Sequence, residues 1–194
     1  MPPVAHHIIF AAYGFWLPND PRGSWSTYVG SDDLYRSFGA ATKVATRESL
    51  AKRQHDHGSR LAAKRELKSS PAVFTGRQAL EIARAVGDLA VAESLVVLAC
   101  AVMPDHVHLV VRSGPLSPVR IVASCKSRAS RRLHESGLWP PDRRIWARGK
   151  WVVHLNTEEE IRRAVRYVER NPIAAGLKRQ RWSFVQPLEH RRDT

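Results

Sequence analysis

The sequence predicts an α+β fold of the ferredoxin-like kind, a split βαβ arrangement (β-α-β-β-α-β) with an antiparallel sheet and an added C-terminal helix. Three observations predict it. Four short β-rich runs alternate with helical stretches in that order, and one more helical stretch follows. Two of the helical stretches open on capping boxes, Thr75 with Gln78 and Thr157 with Glu160. The second and third β-rich runs are separated only by Met103-Pro104-Asp105, close enough for an antiparallel hairpin.

Each element has its own warrant. Val4 to Tyr13 (VAHHIIFAAY) is rich in strand formers and stops at the turn-dense run from Trp16 to Gly23. From Ser24 to Ser70 the chain is polar and rich in Arg, Lys and Ala, with helix-compatible stretches such as 40–68 but no consistent apolar period, which predicts a partly helical insertion. After Pro71 the Thr75 box leads into Leu80, Ala83, Val86 and Ala90 at helical spacing. Leu95 to Val102 and His106 to Val111 are the next two strands. Ser117 or Pro118 opens a second helix with Ile121, Val122, Cys125, Ala129 and Leu133 inward, stopped by Gly137. Lys150 to Leu155 reads as the fourth strand, and Ile161, Ala164, Val165 and Val168 form the stripe of the last helix, which Asn171-Pro172 should end.

The 194 residues, 43% hydrophobic and 25% charged, suffice for a core without disulfides and exclude global disorder. No repeat or linker divides them, so one domain over residues 1–194 is expected. The longest apolar run, 95–103, is about half of the roughly 20 residues of a membrane-spanning helix, and the start lacks a signal-peptide pattern. A soluble, cytoplasmic protein is expected. Cys100 and Cys125 fit neither a disulfide framework nor a zinc ribbon and read as buried thiols.

The net charge of +13 favours polyanionic partners, nucleic acid first. The excess sits mainly in residues 112–151, which carry ten basic and two acidic residues. Arg120, Lys126, Arg128, Arg131, Arg132, Arg143, Arg144, Arg148 and Lys150 lie there, with Trp139, Trp146 and Trp151 interleaved. Phosphate contacts and base stacking use such a mixture, and a solvated helix face over core tryptophans would look the same.

Residues two apart on a strand point the same way, so His106 and His108 present two imidazoles on one face while Val107 and Leu109 take the other. Two neutral imidazoles suit one divalent transition-type ion, and they also suit a hydrogen-bonded polar face. His55 and His57 have the same spacing without a strand pattern and read as surface. His6 and His7 are adjacent, so at most one could join a site, and both read as structural. In the last helix Tyr167 and Asn171 are i, i+4 neighbours on one flank of the apolar stripe. A phenol becomes a nucleophile toward phosphate when a nearby divalent cation stabilises the charge. The same two residues could equally be a packing tyrosine and a helix cap.

At these residues a family resemblance enters. Met103 to Val111 (MPDHVHLVV) resembles the His-hydrophobic-His signature of single-tyrosine HUH transposases, the insertion-sequence 200-like group, and Tyr167 to Leu177 (YVERNPIAAGL) resembles their catalytic-helix segment. The REP-associated tyrosine transposase branch is most similar, sharing a Tyr-Gly-x-Trp-Leu-Pro stretch like 13–18 and a Trp-Ala-Arg-Gly stretch like 146–149. The resemblance covers nearly the whole chain outside 24–70. It implies a ferredoxin-like core and a metal-dependent nuclease and strand transferase of single-stranded DNA. Carried over, His106, His108 and Asn171 would hold Mg²⁺ or Mn²⁺ and Tyr167 would be the nucleophile, forming a 5′-phosphotyrosine link and freeing a 3′-hydroxyl. Relatives recognise single-stranded DNA hairpins, for which the basic residues named above, with Trp146, are the candidate surface. Asp105 stands where relatives commonly carry Asn. That carboxylate would either tune metal affinity or cap the hairpin turn.

The resemblance also implies a monomer with the site completed in cis, a homodimer with the tyrosine helix in trans being the alternative. From a different class comes a non-catalytic or domesticated nucleic-acid-binding regulator on the same scaffold, which would bind DNA without cutting it. A zinc hydrolase built on the His pair is disfavoured, because no acidic general base or third strong zinc ligand falls at a recognisable spacing.

Overall fold

The computed structural model describes residues 2–15, 32–40 and 56–188. The element order is β1 (Ala5–Ala11), α1 (Asp32–Phe38), α2 (His57–Arg65), α3 (Gly76–Ala92), β2 (Val97–Val102), β3 (His106–Arg112), α4 (Pro118–Glu135), β4 (Trp151–Leu155) and α5 (Glu158–Ala174). The four strands form one antiparallel sheet in the order β2-β3-β1-β4, the split βαβ order with β3 and β1 in the centre. β2 pairs antiparallel with β3 across the Met103-Pro104-Asp105 turn, and β1 pairs antiparallel with β4, placing His6 opposite His154 and His7 opposite Val153.

The chain clusters into two compact units. The first comprises Met1–Phe10, Phe74–Pro141 and Lys150–Thr194 and contains the sheet with α3, α4 and α5. α5 covers one sheet face, where Ile161, Val165 and Val168 pack with Ala5, Ala101, Val110 and Leu155. On the opposite face Ile8, Phe10, Val107 and Leu109 are buried, and α3 packs against α4. Burial of each such side chain is worth about 1.5–3 kcal/mol. Alternation along the strands thus assigns one face to each helical layer.

The caps read from the sequence are formed. Thr75 and Gln78 exchange bonds of 3.4 and 2.7 Å at the start of α3, and Thr157 and Glu160 exchange bonds of 3.2 and 3.3 Å at the start of α5. Ser117 caps α4, and Gly137, at φ +64, follows its end. Asn171-Pro172 does not end α5, contrary to expectation. Pro172 lies within the last turn, where it gives up the N–H bond to the carbonyl four residues back, yet the helix runs on to Ala174 and the chain turns out only at Gly176, at φ +74. The segment after α5, for which the sequence offered no assignment, lies along the outer strand β2: Val185 bridges Val97, and Trp182 Nε1 donates to the Cys100 carbonyl at 3.2 Å.

The second unit comprises Ala11–Val73 and Asp142–Gly149 and takes in most of the expected insertion. Here α1 packs on α2, Leu34 and Ala63 being buried with Phe38 and Leu67 against them. α2 starts at an Asp56 cap, whose side chain accepts from Ser59 N at 2.9 Å. His55 and the His57 side chain lie outside the described residues, as do Trp16 to Pro18. Among the described residues no helix is long and apolar enough to cross a membrane.

Candidate active site

β3 supplies the site with its pair of imidazoles. His106 and His108 stand on the face that α5 covers, and their Nε2 atoms converge to 2.8 Å. Asp105, at the hairpin turn, reaches the far nitrogen of His106, with Oδ1 2.6 Å from Nδ1. The neighbouring strand supplies a third imidazole that sequence reasoning set aside: His7 Nε2 lies 3.0 Å from His108 Nδ1, the two rings stacked at 5.2 Å. α5 then lays Tyr167 against both, edge-on to His108 with centroids 5.6 Å apart and to His7 at 5.9 Å. Tyr167 is nonetheless 54% exposed, so its ring is open to a large substrate.

His7 and His108 are buried, and burial disfavours their charged forms. It pulls His7 down to about 4 and His108 well below its ordinary value, His106 and His7 adding repulsion at the latter. Neutral imidazoles with free lone pairs are the form that binds metal. The converging Nε2 pair, within hydrogen-bond distance as it stands, is of the donor type that a divalent ion takes.

A family model supplies the decisive comparison: that of the IS200-like transposases matches residues 66–171, from the end of α2 to the Asn171 of α5. The chain belongs to the IS200-like transposase family. Two solved structures are similar to this transposase. One is a REP-associated tyrosine transposase bound to a REP hairpin, at 12% identity and TM-score 0.48, covering 92% of this chain and 72% of that one. The other, a protein from Deinococcus radiodurans R1 assigned as a transposase, is 16% identical with TM-score 0.41, covering 87% and 91%. No curated protein matches.

Asn171 follows Tyr167 by one helical turn, and its Nδ2 is buried with no hydrogen-bond partner among the described residues. His6, on the other face of β1, is occupied elsewhere: Nδ1 meets His154 Nδ1 at 3.1 Å, and Nε2 meets Ser113 Oγ at 3.2 Å. Strand parity could have separated His6 from His7, because His6 shares its face with the large core residues Ile8 and Phe10.

The basic residues of this transposase divide between the two units. In the first, Arg120, Arg131 and Lys150 are exposed, and Lys126 and Arg128 are half-buried. Arg132 is engaged within the chain, with Asp88 at 2.7 Å and Glu81 at 3.1 Å. Trp139 is buried against Phe74 and so serves the core, not base stacking. In the second unit Arg144 is exposed and its guanidinium lies 5.7 Å from the Tyr13 ring centre, while Arg148 is exposed and Arg143 and Trp146 are half-buried.

Proposed function

We propose that this IS200-like transposase is a metal-dependent nuclease and strand transferase of single-stranded DNA, acting at hairpin-flanked sites through a 5′-phosphotyrosine link. The observation that carries the reading is the contact of Tyr167 with His108, whose Nε2 converges with that of His106. His106 and His108 would hold Mg²⁺ or Mn²⁺, with the Asn171 amide as third protein ligand. Bound there, the ion would withdraw electron density from the scissile phosphate.

The chain's own residues do the rest. Tyr167 Oη gives up its proton to solvent and attacks phosphorus, the new O–P bond joins the 5′-phosphate to the protein, and the bond to the 3′-oxygen breaks. That oxygen takes up a proton and leaves as a 3′-hydroxyl, and the reverse attack by another 3′-hydroxyl rejoins the strand. In the first unit Arg120, Lys126, Arg128, Arg131 and Lys150 would make phosphate contacts to the hairpin DNA; in the second, taken by itself, Arg143, Arg144 and Arg148 would do the same and Trp146 would stack. Tyr167 packs on the histidines of its own chain, which favours a site completed in cis by a monomer.

Incubation with single-stranded hairpin DNA from the flanks of its own gene, with Mg²⁺, Mn²⁺ or EDTA, followed by denaturing electrophoresis, tests the reading. A metal-dependent covalent adduct is expected, and it should vanish in Tyr167→Phe. An adduct that survives that substitution would displace Tyr167 as nucleophile. Binding without any adduct would favour the regulatory reading.

A further inference from the structure

We propose that His7 is the positioning residue of the metal site, the acceptor that fixes the proton and ring of His108, as Asp105 does for His106. The inference rests on the reading of His106 and His108 as metal ligands and adds a residue outside the matched segment 66–171.

A neutral imidazole has one N–H and one lone pair. At His106 the choice is made by Asp105, whose carboxylate can only accept, so the 2.6 Å contact puts the proton on Nδ1 and leaves the lone pair on Nε2. His108 has neighbours on both nitrogens, His106 Nε2 at 2.8 Å and His7 Nε2 at 3.0 Å. Without an ion, the row of contacts can run in one direction, His7 donating to His108 and His108 to His106. With an ion between the two Nε2 atoms, each must offer a lone pair, and the His108 proton can sit only on Nδ1. It then points at His7 Nε2, which must accept, so His7 carries its own proton on Nδ1. Loading the site reverses the donor and acceptor roles of this pair.

The surroundings hold His7 to that task. It sits on a central strand beside β3, is buried, stacks on His108 at an interplanar angle of 29°, and lies in a T-shaped arrangement with Tyr167. Outer acceptors of this kind orient a ligand ring and raise its basicity, and their loss weakens metal binding about 10–100-fold. An apolar side chain at position 7 fills the space and leaves the Nδ1–H of His108 without an acceptor. A glutamine there restores an acceptor near the place of Nε2.

The test is Mn²⁺ binding without DNA, followed through the electron paramagnetic resonance signal of the free ion, for the parent, His7→Leu, His7→Gln and His108→Ala. The expected result is a Kd about 10–100-fold higher in His7→Leu, recovery toward the parent in His7→Gln, and no loss of Tm in EDTA for either. Parent-like Mn²⁺ binding by His7→Leu, or equal weakening in both His7 variants, would overturn the role of His7 alone. Unchanged Mn²⁺ binding in His108→Ala would overturn the underlying metal assignment and this inference with it. The ¹⁵N shifts of His108 in the Mg²⁺-loaded parent test the point with no variant: a proton on Nδ1 supports it, and one on Nε2 overturns it.

Discussion

Gln180 grips Val102 by both ends of its amide, Oε1 accepting from the Val102 N–H at 2.8 Å and Nε2 donating to the Val102 carbonyl at 2.7 Å. The side chain imitates a paired strand and closes the end of β2, whose outer edge the following residues continue to cover through Val185 and Gln186. An uncovered edge would present unpaired N–H and C=O groups to other chains. Gln180→Leu removes both bonds and should lower the unfolding free energy in urea by about 1–3 kcal/mol. Truncation after Leu177 should also promote self-association in sedimentation velocity. A truncated protein that stays as stable and as monodisperse as the parent would show that β2 needs no cover.

Arg131 and Arg132 are neighbours in sequence with opposite fates. Arg131 is exposed, whereas Arg132 bonds to Asp88 and Glu81 and ties α4 to α3. Arg131→Ala should weaken hairpin DNA binding and reduce the slope of log affinity against log salt by about 0.7–0.9. Arg132→Ala should leave that slope unchanged and lower stability by about 1 kcal/mol. Fluorescence anisotropy over a salt series, with parallel urea melts, separates the two. If Arg132→Ala changes the salt slope instead, its pairing with α3 does not persist when DNA binds.

Much of this molecule is written locally. The alternation around His106 and His108 gave their common face, and the Thr75 and Thr157 boxes gave two helix starts, because strand parity and caps are properties of a few consecutive residues. Arg132 and Trp139 could not be sorted from their neighbours, since what engages them, Glu81, Asp88 and Phe74, lies far away in the chain. His7 failed for the same reason. Its partner is His108, 101 residues on, and only the order β2-β3-β1-β4 brings the two together. Pro172 illustrates a rule applied too strictly, because the bias of a residue before proline against the helical region is a preference, and α5 runs on to Ala174 past it.

Gly14 turns the chain after β1 with φ at +85, and a Cβ placed there would lie 2.9 Å from the Pro71 Cα and 2.8 Å from its Cβ. Both the backbone angle and the space demand glycine, since an L side chain is strained at that φ and Pro71 cannot swing aside. Gly14→Ala should destabilise the protein by about 1–3 kcal/mol. Gly137, also at positive φ, has open space around its Cβ position, so Gly137→Ala should cost less. Thermal melts of the two variants side by side test the difference, and equal losses would remove the Pro71 contact from the account.

Lys126 is placed at odds with its charge. It extends from α4 over the Phe10 ring, 5.9 Å from its centre, and burial, with Lys150 adding repulsion, pulls it from 10.5 down to about 8. The unfolded chain holds that proton up to roughly pH 10.4, so between the two values the unfolded state binds more protons and stability rises with pH. Below about 8 both states are charged and the folded one bears the full penalty. Lys126→Met should therefore be more stable than the parent at pH 7, with an advantage that shrinks as pH climbs from 8 toward 10.5. Urea melts of both proteins at pH 7 and 10 decide it, because a constant difference would mean that the ammonium carries no burial penalty. A phosphate bound beside Lys126 would add a counter-charge to its ammonium, so the same substitution should lower DNA affinity while raising stability.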